Sequence, residues 1–141
     1  MSFLLIGDYG DIDQLDEAEK TFDSMNEFAA ENKVDFFVTL GDNVYYYGIS
    51  SPDDKKFQEM YKLFKRDNIK HLDVFGTLGN HDCRGSPSAY VDVSKKSDNN
   101  WIMDGVYYSR VWDLDNNEEN GKELGVLVLD GCQLCCLSSA P

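Results

Sequence analysis

Three apolar runs recur along the N-terminal part of the chain, and each closes on a glycine followed by a polar residue. They are FLLIGD at 3–8, VDFFVTLGD at 34–42 and LDVFGTLGN at 72–80. Short apolar runs that end in turn residues are typical of strands buried on both faces of a parallel sheet. The pattern therefore predicts three parallel β-strands, followed directly by Asp8, Asp42 and Asn80.

Helical periodicity fills the two intervals between these runs. In the first interval, apolar residues recur at spacings of three and four, as on the buried face of a helix. They are Leu15, Ala18, Phe22, Met25 and Ala29. In the second interval, we expect a helix with Ser51 as N-cap and Pro52 at its first position, burying Phe57, Met60 and Phe64. Strands and helices alternate as in successive βαβ units, whose right-handed crossovers make the strands parallel.

The chain changes character after the third run. Residues 84–105 are rich in Gly, Ser, Pro and Asn, which predicts an irregular segment with a helical turn near Tyr90. The stretches at 105–114 and 124–130 are apolar and enclose a polar segment at 115–122. They predict the two strands of a hairpin.

The predicted strand order brings polar side chains together. Parallel strands open their carboxyl ends on one edge of the sheet, where α/β proteins bind ligands, so we expect Asp8, Asp42 and Asn80 to converge. Each position taken alone is better explained as a helix cap or a turn than as part of a site. Three oxygen donors together favour a hard cation such as Mn²⁺, Mg²⁺ or Fe³⁺, which would relieve the repulsion between the two carboxylates.

Length and charge narrow the classes of function. The chain has 141 residues, of which 42% are hydrophobic, and this fits one domain or part of a larger one. Its net charge of −13 leaves no basic stripe to neutralise phosphates, which argues against nucleic acid as a partner. No apolar run is long enough to span a membrane, and we see no secretory signal at the start.

The four cysteines are Cys83, Cys132, Cys135 and Cys136. Cys132 and Cys135 form a C-x-x-C pair. Neither the second pair of a zinc site nor the βαβ setting of a redox motif accompanies them. We expect free thiols or an isolated disulfide.

Three motifs carry a family resemblance. The stretches GDYG at 7–10, GDNVYYYG at 41–48 and GNHD at 79–82 resemble, in this order, the first three of five motifs of the purple acid phosphatases. These enzymes belong to the calcineurin-like metallophosphoesterase superfamily, and the likeness is greatest to the tartrate-resistant type. Most metallophosphoesterases have a histidine where this chain has Gly10. That difference, together with Tyr45 after Asp42, is typical of the purple subgroup.

The resemblance implies a dinuclear metal centre of Fe(III) and a divalent ion, which is Fe, Zn or Mn. It implies that Asp8 and Tyr45 bind the ferric ion, that Asp42 bridges the two metals and that Asn80 binds the divalent ion. A metal-activated hydroxide would then attack a phosphate monoester.

The resemblance also implies roles for the end of the third motif. His81 would donate a proton to the leaving group, and Asp82 would fix the His81 ring. The implied substrates are small phosphate esters or phosphoproteins. The resemblance suggests a secreted or lysosomal protein, although the sequence leaves the compartment open. Asn43 receives no role.

The family's fourth and fifth motifs, which supply three further ligands, are not found in the sequence. The only histidine besides His81 is His71, at the start of the third run and on the order of 30 Å from its far end. We expect His71 on the surface. We also expect 1–141 to be a single incomplete domain: the N-terminal half of an α/β/β/α sandwich, with exposed apolar sheet surface.

Two other functions stay open. The chain is weakly active or inactive alone if those ligands are lacking, so it is alternatively a truncated, catalytically silent relative that binds a cation or a partner. A phosphodiesterase or nuclease of the same superfamily is disfavoured by Gly10 and Tyr45. The second metal, the physiological substrate and the oligomeric state are left open.

Overall fold

Strands and helices alternate along most of the chain. The computed structural model describes residues 1–96, 99–114 and 121–132. Its elements are β1 (Phe3–Ile6), α1 (Leu15–Glu31), β2 (Phe36–Thr39), α2 (Lys55–Tyr61), β3 (Asp73–Phe75), α3 (Pro87–Ser94), β4 (Trp101–Ile102), β5 (Tyr108–Asp113) and β6 (Glu123–Val128). Single 3₁₀ turns lie at Ile12–Gln14, Lys62–Lys65 and Asp82–Arg84.

The strands form two sheets. Strands β1 to β4 lie side by side in chain order, and every pair is parallel. Strands β5 and β6 form a separate antiparallel hairpin. The predicted fold is therefore confirmed: parallel strands with crossover helices, followed by a hairpin, as in the N-terminal half of a metallophosphoesterase sandwich.

Aromatic side chains on β2 join three layers. Successive residues of a strand point to opposite faces of its sheet. Phe37 meets Phe64 of the helical layer edge to face, with ring centroids 5.4 Å apart. Its neighbour Phe36 stacks on Trp112 of the hairpin at 4.6 Å. Helices thus cover one face of the parallel sheet, and the hairpin covers part of the other.

Helix α1 confirms the periodicity of its sequence, since Phe22 is fully buried. The other four predicted residues of that face are partly buried against the core. The predicted start of α2 is wrong. Asp54, rather than Ser51, is its N-cap, because the Asp54 carboxylate accepts a hydrogen bond from the Lys56 amide at 3.0 Å.

Strand β4 was not predicted. It has two residues, too few to show a period, and it lies in the segment expected to be irregular. Trp101 of β4 fits against Gly76, where an added Cβ would come within 2.2 Å of the indole. The expected helical turn near Tyr90 is confirmed as α3.

Among the described residues, part of one face of the parallel sheet, over β1, is not covered. Strand β1 was expected to be buried on both faces, yet Phe3 and Leu5 are exposed, because the hairpin lies over β2 and β3 rather than over β1. The expected exposed apolar surface is present: Leu5, Leu127 and Leu129 are 49%, 68% and 60% exposed. Within the described ranges, no helix has both the length and the apolar character that crossing a membrane requires.

Candidate active site at the carboxyl edge of the sheet

Two of the predicted site residues have an unusual backbone. Asp8 follows β1 with a φ of 55°, and Asp42 follows β2 with a φ of 52°. Both values lie in the left-handed region, which residues other than glycine seldom adopt, although Asp tolerates it better than most. Local strain of this kind is concentrated at functional sites. The two aspartates that the sequence predicts to converge therefore share one strained conformation.

Glycines let the loops that follow the strands approach each other at backbone distance. A Cβ added at Gly79, after β3, would lie 2.2 Å from Oδ1 of Asp42. A Cβ added at Gly10, after β1, would lie 2.2 Å from the backbone carbon of Asn43. Side chains at these two positions would push the loops apart, so the glycines are what permits convergence.

Asp8, Asp42 and Tyr45 meet through their side-chain oxygens. The Tyr45 hydroxyl lies 2.8 Å from Oδ1 of Asp8 and 2.9 Å from Oδ2 of Asp42. Burial raises the pKa of the Tyr45 phenol above its ordinary value, and the hydrogen bonds to Asp8 and Asp42 raise it further. The phenol has one proton to share between two carboxylates.

His81 lies beside this cluster and is anchored to it. Its backbone amide donates to Oδ1 of Asp42 at 2.9 Å. Its ring is 4.2 Å from the Tyr45 ring, centroid to centroid, and its Nδ1 lies 3.0 Å from the Tyr46 carbonyl oxygen. A carbonyl can only accept, so Nδ1 carries a hydrogen and the other ring nitrogen, Nε2, is left for other partners.

Asp82 has a different place from the one expected. Its fully buried carboxylate accepts hydrogen bonds from the backbone amides of Asn43, Val44 and Gly79 and from the Tyr90 hydroxyl, the last at 2.6 Å. Burial raises the pKa of the Asp82 carboxyl, while these hydrogen bonds act in the opposite direction. Asp82 thus holds the loop at 41–44, whereas the Tyr46 carbonyl holds the ring of His81.

Asn43, to which the sequence assigned no role, is buried, and its side chain forms hydrogen bonds to other loops. Its side-chain amide donates to the Thr77 carbonyl at 2.7 Å and to Asp82 at 2.8 Å. Its Oδ1 accepts from the Tyr9 hydroxyl at 3.0 Å. The position next to Asp42 was the only available signal, because the partners come from the loops after β1 and β3, far from Asn43 in sequence.

The remaining predicted ligand, Asn80, is exposed at the tip of its loop. Its neighbours fix its backbone, since Gly79 donates to Asp82 and His81 donates to Asp42. Among the described residues, the hydrogen bonds that join Asp8, Asp42 and Tyr45 do not include it. His71 is exposed before β3, as expected.

A disulfide lies directly beside the site. Cys83 is bonded to Cys132, with their Cα atoms 5.4 Å apart. The isolated disulfide that we expected as one of two possibilities is therefore present, but it does not use the C-x-x-C pair. Cys135 and Cys136 lie outside the described residues.

The donor set was compared with the dinuclear centre that the resemblance implies. Two carboxylates and a phenol direct three oxygens at one point with a single hydrogen between them, and this fits one hard cation. Asn80 is the oxygen donor that the resemblance assigns to the second ion. Within the described residues, His, Cys, Asp and Glu form no group of three or more that could hold a metal.

A parallel α/β sheet with an oxygen-rich cluster at its carboxyl edge, backed by a second β-layer, is the architecture of a phosphoesterase. The chain belongs to the calcineurin-like phosphoesterase family, whose profile matches residues 1–133. It is similar to tartrate-resistant acid phosphatase type 5 of Rattus norvegicus and of Homo sapiens, with 26% identity over 145 residues in each case. It is also 31% identical to purple acid phosphatase 4 of Arabidopsis thaliana over 103 residues, or 72% of this chain and 30% of that relative.

The chain is much shorter than these relatives. The alignments cover 96% of this chain but only 42% of the rat and human phosphatases. Among solved structures, it resembles "GAP50 the anchor in the inner membrane complex of Plasmodium", with a TM-score of 0.70 and 17% identity. That likeness covers 89% of this chain and 40% of the other, and it concerns the fold.

Proposed function

We propose that this chain supplies the first half of a dinuclear acid phosphatase site that hydrolyses phosphate monoesters. The observation that carries the proposal is the convergence of Asp8, Asp42 and Tyr45 on one point. The family and the acid phosphatase relatives support the reaction class. Small phosphate esters or phosphoproteins are the proposed substrates.

In this proposal, Asp8, Asp42 and Tyr45 would hold Fe(III), and Asp42 and Asn80 would hold a divalent ion. When bound, such a pair supplies a hydroxide nucleophile and neutralises phosphate charge. The chain's own residues prepare the site. Tyr45 must lose its shared proton to bind an ion, and the hydrogen bond from the His81 amide fixes the other oxygen of Asp42.

His81 is the proposed proton donor to the leaving oxygen. Because Nδ1 is fixed on the Tyr46 carbonyl, the proton that moves is the one on Nε2 of the protonated ring. Asp82 is a positioning residue rather than a catalytic one. It ties Gly79, before the Asn80–His81 pair, to the Asn43 amide, which follows Asp42.

The disulfide supports an oxidising compartment for this protein. Disulfides persist in secreted proteins and in the compartments that lead to secretion, and they are rare where thiols are kept reduced. This agrees with the secreted or lysosomal setting that the resemblance suggests, which we propose for this chain.

Two measurements on the 141-residue chain test the proposal. With iron and zinc or manganese supplied, we expect only weak hydrolysis of p-nitrophenyl phosphate, and we expect it to be lost in Asp42→Asn. We also expect a visible tyrosinate-to-iron absorption band that is lost in Tyr45→Phe and kept in Tyr46→Phe, since Tyr46 is exposed. A band without hydrolysis would mean that the first ion binds but the site is incomplete. A folded chain with neither signal would overturn the proposal.

The exposed sheet surface favours a second function, that of a catalytically silent partner-binding module. An apolar groove of about 600 Å³ runs between β1 and β6, and Leu40 and Leu129, each 60% exposed, form part of its wall. A second copy of this chain, which presents the same apolar β-surface, would cover it. We expect self-association of the wild type that Leu127→Lys reduces, measured by light scattering. A monomer that exposes this face at high concentration would argue against this function.

A further inference from the structure

We propose that the Cys83–Cys132 disulfide is a redox-sensitive tie that controls the order of the loop at 79–84, and with it the candidate site. The position of the bond in the fold supports this proposal. The bond joins the 3₁₀ turn Asp82–Arg84 to the segment just after β6, two parts of the chain 49 residues apart.

At the end nearer the candidate site, Cys83 directly follows Asp82, whose buried carboxylate joins the loops after β2 and β3. The carboxylate of its neighbour Asp82 accepts the amides of Asn43 and Val44 and so holds the loop that follows β2. The Cys83 amide itself donates to the Gly79 carbonyl at 3.1 Å, which closes the turn that carries Asn80 and His81. Displacing Cys83 therefore displaces the carboxylate on which both loops depend.

The other cysteine of the disulfide, Cys132, follows β6 of the hairpin. The Cys132 amide donates to the side chain of Asp130 at 2.9 Å, and Val128 before it is buried in the core. The hairpin is held on the parallel sheet independently, through Trp112 on Phe36 and through the Tyr108 hydroxyl on the Gly76 carbonyl. Opening the disulfide would therefore release the loop from the hairpin without removing the hairpin from the sheet.

The reaction needs a dithiol reductant. Its thiolate attacks one sulfur of the pair, and the other cysteine leaves as a thiolate. The second thiol of the reductant then attacks the reductant's own sulfur in the mixed disulfide, and the bound cysteine leaves as the second thiolate. The protein gains two thiols, and the reductant becomes a disulfide. Both cysteines are partly accessible, so a small dithiol can reach them. Changes of this kind at a packed loop are a known class of switch.

The test is amide hydrogen exchange on the oxidised and the dithiol-reduced chain. It is made in the Cys135→Ser/Cys136→Ser background, so that no other thiol takes part. On reduction, we expect exchange at Asn43, Val44 and Cys83 to become about tenfold faster or more, while Val38 and Val74 in the central strands are unchanged. Cys83→Ser/Cys132→Ser should exchange like the reduced chain and be insensitive to the dithiol.

Three results of this experiment would overturn the proposal. Equal exchange in both states would overturn the proposal, and so would equal acceleration in the central strands, which would make the disulfide a general stabiliser only. A disulfide that the dithiol leaves intact would also overturn it. The link to catalysis rests on the proposed phosphatase function, but the exchange measurement does not, so a chain without phosphatase activity can still pass or fail this test.

Discussion

The backbone amide of Asn43 donates to both carboxylate oxygens of Asp82, each 3.1 Å from the amide nitrogen. Asn43 follows the site residue Asp42, and Asp82 follows His81. One buried carboxylate therefore sets the distance between the loop after β2 and the loop after β3. Its hydrogen-bond partners in the structure are all donors, which suits an ionised group.

Replacing this carboxylate should destabilise the fold. Asp82→Asn turns one acceptor oxygen into a donor that faces other donors, and we expect a loss of about 3 kcal/mol in the free energy of unfolding. The measurement is denaturant unfolding followed by circular dichroism. The control is Asp92→Asn, whose exposed ion pair with Lys95 should contribute less than about 1 kcal/mol. Equal losses in the two variants would contradict the role assigned to Asp82.

The close approach of the loops gives a second prediction. Gly79→Ala places a Cβ against Asp42, so we expect a loss of about 2 kcal/mol in stability and weaker binding of a hard cation. Gly125→Ala is the matched control, because nothing lies within 4 Å of its added Cβ. Terbium titration would report cation binding. If Gly79→Ala bound terbium as the wild type does, the loops would not need this contact.

The anchoring of His81 predicts a specific tautomer. The Tyr46 carbonyl accepts from Nδ1, so the neutral ring should carry its hydrogen on Nδ1. Long-range proton–nitrogen correlation spectra distinguish the two ring nitrogens. His71, which is exposed, is the internal reference in the same spectrum. A neutral His81 with its hydrogen on Nε2 would rule out the proposed anchor.

Features of the fold that depend on residues close in sequence are predicted better than those that depend on residues far apart in sequence. Asp8, Asp42 and Tyr45 follow from strand order and family motifs, because strand ends in a parallel sheet meet whatever their sequence separation. The long helix α1 follows from its own period. Local rules favoured Ser51 as the start of α2, but the structure has Asp54 there, because the Asp54 side chain accepts a hydrogen bond from the Lys56 amide.

Other features depend on contacts between distant loops. The hub at Asp82 takes partners from the segments at 43–44, 79 and 90, and no local pattern marks a residue as the acceptor of so many donors. The pairing of Cys83 with Cys132 is similarly non-local, and the sequence left open which cysteines would pair. These are also the contacts that set the geometry of the candidate site, so the sequence predicted that Asp8 and Asp42 converge but not which residues hold them there.

Because the Tyr108 phenol is buried, we expect the folded protein to lose stability at alkaline pH. Burial raises the pKa of this phenol, and Asp104 adds to this effect while Arg110 opposes it. The unfolded chain ionises this group near pH 10 and the folded chain only above that, so its stabilising effect is complete below about pH 10 and declines as the pH rises. Each such group contributes a slope of at most about 1.4 kcal/mol per pH unit.

Tyr108→Phe separates the two contributions of this residue. The variant loses the hydrogen bond from the hydroxyl to the Gly76 carbonyl, which should cost about 1 kcal/mol at pH 7. Above about pH 10 its stability should decline less steeply than that of the wild type, because one fewer phenol ionises on unfolding. Denaturant midpoints measured from neutral to alkaline pH give both values. Parallel curves for the two proteins would show that Tyr108 ionises equally in the folded and unfolded chain.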